Sequence, residues 1–387
     1  MNKNKLLKIQ EFGQSIWLDY IDRQMIKSGA LKQLIEENGL RGVTSNPSIF
    51  DKAIENSEAY EESIQTLSRE GKKVEEIYQN LTVKDVQMAA DEFRRLHEAS
   101  GGAHGFVSLE VNPHLAYRTE ETIAEARELW RSLDRPNVFI KVPGTKEGLP
   151  AIRQLISEGI NVNVTLLFGL PRYREVAAAY IAGLEERTAT GKPLNMVCSV
   201  ASFFLSRIDV LVDRKLEEIM AKEGSKAESA RKLHGQVAIA SAKEAYQIYK
   251  EIFGEERFQK LVHKGGRPQR VLWASTSTKN PDYSDVKYVE ALIGPDTINT
   301  LPKETLQAYR DHGKPLERLE QGLQEARKRL ESLSELDIDI NQVTQQLEEE
   351  GVEKFNKPYD RLMSTLARKR RQEGNKEPQN QKAASSR

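Results

Sequence analysis

Short runs rich in β-branched residues alternate with longer helical patterns along most of this 387-residue chain, and no other feature constrains its fold as much. Strand-length runs stand at Ile16–Tyr20, Arg41–Ser45, Phe106–Val111, Asn137–Val142, Ile160–Leu166, Asn195–Val200 and Val271–Ala274, with a weaker one near Ile298. Between them, Asp85–Glu98, Thr119–Leu133, Pro171–Glu186, Ser206–Lys222 and Ala227–Phe253 repeat apolar residues at helical spacing. The stretch between the sixth and seventh strands exceeds one helix and is expected to hold two or three. Strand–helix units of this kind pair in parallel. Roughly eight of them in about 300 residues is the count of an α/β fold of the (β/α)8 TIM-barrel type. The alternative is an open doubly wound sheet, which usually carries a glycine-rich loop after its first strand. Tyr20–Gln24 contains no glycine.

The strands also split into two faces. Val162, Val164 and Leu166 share one side of their run, and Asn161, Asn163 and Thr165 the other. Val107, Leu109 and Val111 oppose Ser108 and Glu110, while Val138, Ile140 and Val142 oppose Phe139 and Lys141. An antiparallel sheet with one wet face would read the same way. The intervening helices favour a barrel instead, because they cover the apolar face from outside and turn the polar face inward. The last inward residue of each strand then lies at the C-terminal mouth, where barrels hold their active sites.

Beyond Gly313 the pattern becomes helical and strongly charged. Leu316, Leu319, Leu323, Leu330 and Leu333 form one stripe, a break follows at Asp337–Asn341, and a further helix is expected to stop near Gly351. Phe355, Tyr359, Leu362 and Leu366 form a last stripe, suited to packing on the barrel or to a protein partner. These shifts divide the chain into a catalytic barrel (1–312), a helical extension (313–371) and a polar tail (372–387) expected to be disordered. Lys+Arg and Asp+Glu balance at 58 each, so no overall field favours nucleic acid or a membrane surface, and any anion site is local. The lone Cys198 excludes an internal disulfide and looks like core packing. No apolar run approaches the ~20 residues of a membrane span. The expectation is a cytoplasmic protein.

Lys141 stands in the apolar strand NVFIKVPG (Asn137–Gly144). A charged lysine buried there is costly, and an uncharged amine is what attack on a ketone requires. Spacing alone favours the plainer reading, a strand-end lysine whose ammonium reaches water. Asp19 and Glu110 share its inward parity at the ends of their own strands, and proton transfers make and break a carbinolamine. Thr165 offers a hydroxyl to hold a relay water. In GVTSNPSIF (Gly42–Phe50), Pro47 restricts Asn46 so that its amide is presented rigidly; the segment also reads as a turn opening a helix capped by Ser45, Asn46 or Ser48, and the two readings are compatible. Arg207 in SFFLSRI and Lys279 in WASTSTKNP follow late strands, with hydroxyls and helix N-termini nearby, as a phosphate pocket would need, although either one alone reads more simply as surface charge and turn chemistry. The six histidines have no short-range metal-ligand spacing, and neither a P-loop nor a GxSxG elbow occurs.

Together these segments resemble the transaldolase family: GQSIWLDYIDR (Gly13–Arg23), GVTSNPSIF, VSLEVNP (Val107–Pro113), FIKVPGTKEGLPAI (Phe139–Ile152), GINVNVTLLF (Gly159–Phe168), SFFLSR (Ser202–Arg207) and VLWASTSTKNP (Val271–Pro281). The resemblance implies a (β/α)8 barrel without metal or organic cofactor. It implies Lys141 as the Schiff-base lysine and Asp19 as acid/base at the cleaved carbon–carbon bond. Glu110 and Thr165 would handle the water of imine formation, Asn46 and Ser202 would hold the dihydroxyacetone unit, and Arg207 would bind phosphate. Ser45 replaces a common threonine, and Lys279 stands where many relatives present arginine, so the bidentate fork is lost there. The implied reaction takes sedoheptulose 7-phosphate and glyceraldehyde 3-phosphate to erythrose 4-phosphate and fructose 6-phosphate. An aldolase releasing free dihydroxyacetone would use the same residues. Nothing in the chain separates a monomer from a homodimer.

Overall fold

The computed structural model describes residues 4–384 apart from 56 and 223, with side chains described to residue 372. Eight parallel strands close into a barrel in sequence order: β1 (Ser15–Asp19), β2 (Gly42–Thr44), β3 (Phe106–Glu110), β4 (Val138–Pro143), β5 (Val162–Leu167), β6 (Ser199–Phe204), β7 (Arg270–Ala274) and β8 (Ile298–Leu301). The seam joins β1 to β8, Ser15 pairing with Ile298 and Leu18 with Leu301. Helices between the strands form the outer layer, as the alternating pattern requires. Among the described residues no helix is long and apolar enough to cross a membrane.

Two-sided patterning places different chemistry at different heights of the barrel. Trp17, Phe106 and Phe139 fill its lower part, with Phe106 and Phe139 stacked at 4.4 Å and Trp17 6.1 Å from Phe139. Gly42 makes room for them, since a Cβ there would lie 2.5 Å from the Trp17 ring. Above sits a polar tier: Asn163 donates to Ser108 Oγ (3.0 Å) and accepts from Ser202 Oγ (2.7 Å). Each polar group added to this closed interior needs a partner, and these supply one another.

Three expectations need correction. The sixth strand lies at Ser199–Phe204, not Asn195–Val200, and Leu194–Val197 forms a turn with Met196 exposed. A strand buried on both sides does not alternate, so the apolar run around Val197–Phe204 gave no register. The stretch before β7 holds four helices rather than two or three: Ser206–Met220, Ser225–Leu233, Val237–Gly254 and Glu256–Val262. Gly235, at φ +68°, breaks the long Ala227–Phe253 pattern. Finally, the last helix runs through Gly351 as one element, Ile340–Ala384. Gly351 serves close approach rather than termination, because a Cβ there would meet Leu166 Cδ2 at 3.1 Å.

This C-terminal helix crosses the mouth of the barrel. Its own Val343, Leu347, Val352, Phe355, Leu362 and Leu366 are buried. Arg361 grips the buried Asp51 (2.8 Å), Arg172 pairs with Glu348 (3.0 Å), and His114 meets Asp360 (2.7 Å). The side chains of 373–387, where a disordered tail is expected, lie outside the described residues.

Candidate active site

Lys141 points into the barrel and is 4% exposed. Strand register sets β3 and β4 so that Glu110 stands beside it. Lys141 Nζ donates to Glu110 Oε2 and to the Ser45 carbonyl, each at 3.0 Å. The ammonium therefore does not reach out to water; it is held by a carboxylate inside the protein. Burial raises the Glu110 carboxyl above its ordinary value, against the attraction of Lys141, with Asp19 pushing further upward. Glu110 Oε1 and Thr165 Oγ1 are buried and find no partner in the protein, which leaves each open to a water.

Asp19 ends β1 and takes a hydrogen bond from Thr44 Oγ1 at 2.7 Å, and Thr44 in turn touches Thr300 Oγ1 at 2.8 Å. Its carboxyl is also raised by burial, opposed by the Thr44 hydroxyl, Lys141 and Lys279. Carboxyls shifted toward neutral pH are better matched to moving protons in both directions.

A cavity of about 430 Å³ opens above these groups, lined by Asp19, Asn46, Lys141, Thr165, Ser202, Arg207 and Lys279. Glu110 is not part of this lining and meets it through its bond to Lys141 Nζ. Asn46 lines this cavity, and its Oδ1 caps the Pro47–Glu55 helix by accepting from Ile49 N (3.1 Å). Ser202 belongs to β6 itself, and its hydroxyl is oriented by Asn163.

Arg207 and Lys279 meet on one side of the mouth. Arg207 Nη1 is buried without a protein partner, and burial lowers the guanidinium's value. Lys279 donates to Ser277 Oγ (2.7 Å); burial first, and then Arg207, lowers its value. Two cations with partial burial and mutual repulsion gain from an anion placed between them. Ser206 Oγ and Ser275 Oγ, 2.8 Å apart, tie the segments that carry them, with Ser275 at φ +55°. Tyr283 and Tyr288 bond Asp213 and Asp209 (2.7 and 2.8 Å), fastening the loop after β7 and the short Lys287–Ala291 helix to the Ser206–Met220 helix.

The same cavity is lined by residues the sequence reading passed over: Lys52, Phe204, Lys303, Lys354 and Phe355. Phe204 has the inward parity of Ser202, and Lys303 follows the last strand, so both carried a signal. Lys303 is already engaged, 3.8 Å from Asp22 and 3.3 Å over the Tyr20 ring. Lys354 and Phe355 had no such signal, since nothing in an amphipathic stripe says that its helix reaches a barrel mouth.

A family model described as Transaldolase/Fructose-6-phosphate aldolase matches residues 16–366. A protein named Transaldolase 2 from Nostoc sp. (strain PCC 7120) is 49% identical over 368 residues, 94% of this chain and 97% of that protein. Transaldolases of Trichodesmium erythraeum and Saccharopolyspora erythraea are 48% and 45% identical, covering 95% and 94% of this chain and 98% and 97% of their own. With that coverage, and with a closed barrel whose buried lysine is paired to a carboxylate, the chain belongs to the transaldolase/fructose-6-phosphate aldolase family.

Proposed function

We propose that this protein is a transaldolase, moving a dihydroxyacetone unit from sedoheptulose 7-phosphate to glyceraldehyde 3-phosphate in the non-oxidative pentose phosphate pathway. The products are erythrose 4-phosphate and fructose 6-phosphate. It works on these sugar phosphates in the cytoplasm, as a monomer or homodimer. The observation that carries this reading is the Lys141–Glu110 pair at 3.0 Å, sealed in the barrel beneath a cavity shared with Asp19, Arg207 and Lys279.

Arg207 and Lys279 receive the substrate phosphate, which sets the ketone over Lys141. Glu110 takes a proton from Lys141, and the neutral amine adds to the ketone carbon. Glu110 and Thr165 then manage the proton and the water lost as the carbinolamine becomes an iminium. The iminium withdraws electrons while Asp19 removes the proton of the neighbouring hydroxyl, and the carbon–carbon bond breaks. An aldose phosphate leaves, and a three-carbon enamine stays on Lys141, its hydroxyls held by Asn46 and Ser202. The acceptor aldehyde enters and the steps reverse.

Borohydride reduction during incubation with fructose 6-phosphate is expected to add a three-carbon unit to Lys141, read by peptide mass spectrometry. Lys141→Ala yields no adduct. Asp19→Asn still forms the imine but loses about 10²–10⁴-fold in turnover, because only the cleavage step needs that base. Equal labelling of the parent and of Lys141→Ala would remove the basis of the mechanism.

A further inference from the structure

The Schiff base alone does not settle what becomes of the enamine. If its carbon takes a proton from water, the resulting iminium adds water, the carbon–nitrogen bond breaks, and dihydroxyacetone leaves with the lysine amine restored. Transfer requires that protonation be slower than arrival of the acceptor aldehyde. Something must therefore keep proton donors from the enamine face, and most residues of the lining carry hydroxyls, carboxylates, amides or cations; its two phenyl rings are Phe204 and Phe355, and Phe355 is the one that lies over Lys141 Nζ.

We propose that Phe355 of the C-terminal helix is the wall that shields the enamine on Lys141 from protonation, and so sets transfer over release of free dihydroxyacetone. Its ring centroid lies 5.4 Å from Lys141 Nζ, inside the same cavity, and the residue is 5% exposed. It is brought there by an element from outside the barrel units, at a height fixed by specific contacts. One turn earlier, Gly351 lets the helix backbone settle on Leu166 and Phe168. Leu166 follows Thr165 directly and adopts φ +58°, a conformation a leucine rarely takes, where the β5–β6 register is interrupted. Arg361 and Glu348, on either side, hold the helix down to Asp51 and Arg172. A ring so placed excludes water, and its π face tolerates the cationic iminium that precedes and follows the enamine.

The inference rests on the Schiff-base reading above, and the test separates the two. Phe355→Leu, Phe355→Val and Phe355→Ala are each compared with the parent. Transfer from fructose 6-phosphate to erythrose 4-phosphate is measured beside free dihydroxyacetone released. The ratio of release to transfer is expected to stay within about threefold for Leu, to rise for Val and to rise at least 10-fold for Ala. Thermal unfolding and the Lys141 adduct confirm that each variant is folded and forms the imine. If Ala does not fold, Val carries the test. Variants that form the adduct but keep the parent ratio overturn the role of Phe355, because a merely structural ring changes stability and total rate, not partition. A parent that forms no adduct defeats the mechanism itself.

Discussion

Glu125 is not part of the cavity around Lys141, yet it shows how one buried group governs pH response. Its carboxyl is pushed up to about 7, chiefly by burial, with the Asn112 N–H bond opposing and Glu128 adding. In the unfolded chain a glutamate titrates near 4.3. Between those values the folded protein holds a proton that the unfolded chain has released, so stability falls as pH rises through this window. The cost is absent in acid below it and complete above about 7. Glu125→Gln keeps an acceptor for Asn112 and is expected to stabilise the protein by roughly 1–3 kcal/mol at pH 8 and by nothing measurable at pH 4.5. Denaturant titration at both pH values checks this; an equal gain at both would contradict the burial argument. At this scale the sequence was most informative. Strand parity alone grouped Asp19, Glu110 and Lys141, because a two-residue repeat fixes which side chains face inward. It also placed Asn163 inward, but that residue's work of orienting Ser202 appeared only with the barrel closed.

Elements were harder to read than residues wherever burial erased the pattern. β7 and β8 fell close to their expected places, while β6 shifted because small and apolar residues fill both its faces. Gly351 misled for a different reason: glycine serves both helix ends and close packing, and only neighbours in space distinguish them. The C-terminal helix depends on a few polar anchors at its rim. Arg361 is exposed, whereas its partner Asp51 is buried in the helix that begins just after Asn46. Arg361→Met takes a guanidinium from a buried carboxylate and is expected to cost about 1–3 kcal/mol. Hydrogen exchange should quicken along the Ile340–Ala384 helix and in Pro47–Glu55, with the strands unchanged. Uniform acceleration across the whole protein would mean the pair does not act locally.

For the whole molecule, balanced charge hides a local concentration of cations at one end of the barrel, and only the closed fold gathers them there. Inorganic phosphate is expected to occupy this site and raise the unfolding temperature, by an increment equivalent to about 2.7 kcal/mol at one hundred times its dissociation constant. Arg207→Ala should abolish most of that rise, while chloride at equal ionic strength should not produce it. An undiminished response in the variant would place the anion elsewhere. The closing seam between β1 and β8 has a different reach. Its partners, Ser15 and Ile298, stand about 280 positions apart, and a ribosome adding ~5–20 residues each second takes on the order of 15–60 s to make the second after the first. For that time the nascent chain carries an unpaired β edge with no native neighbour to cover it. Synthesis in the cell thus opens a window for misassembly that ends only when the eighth strand emerges.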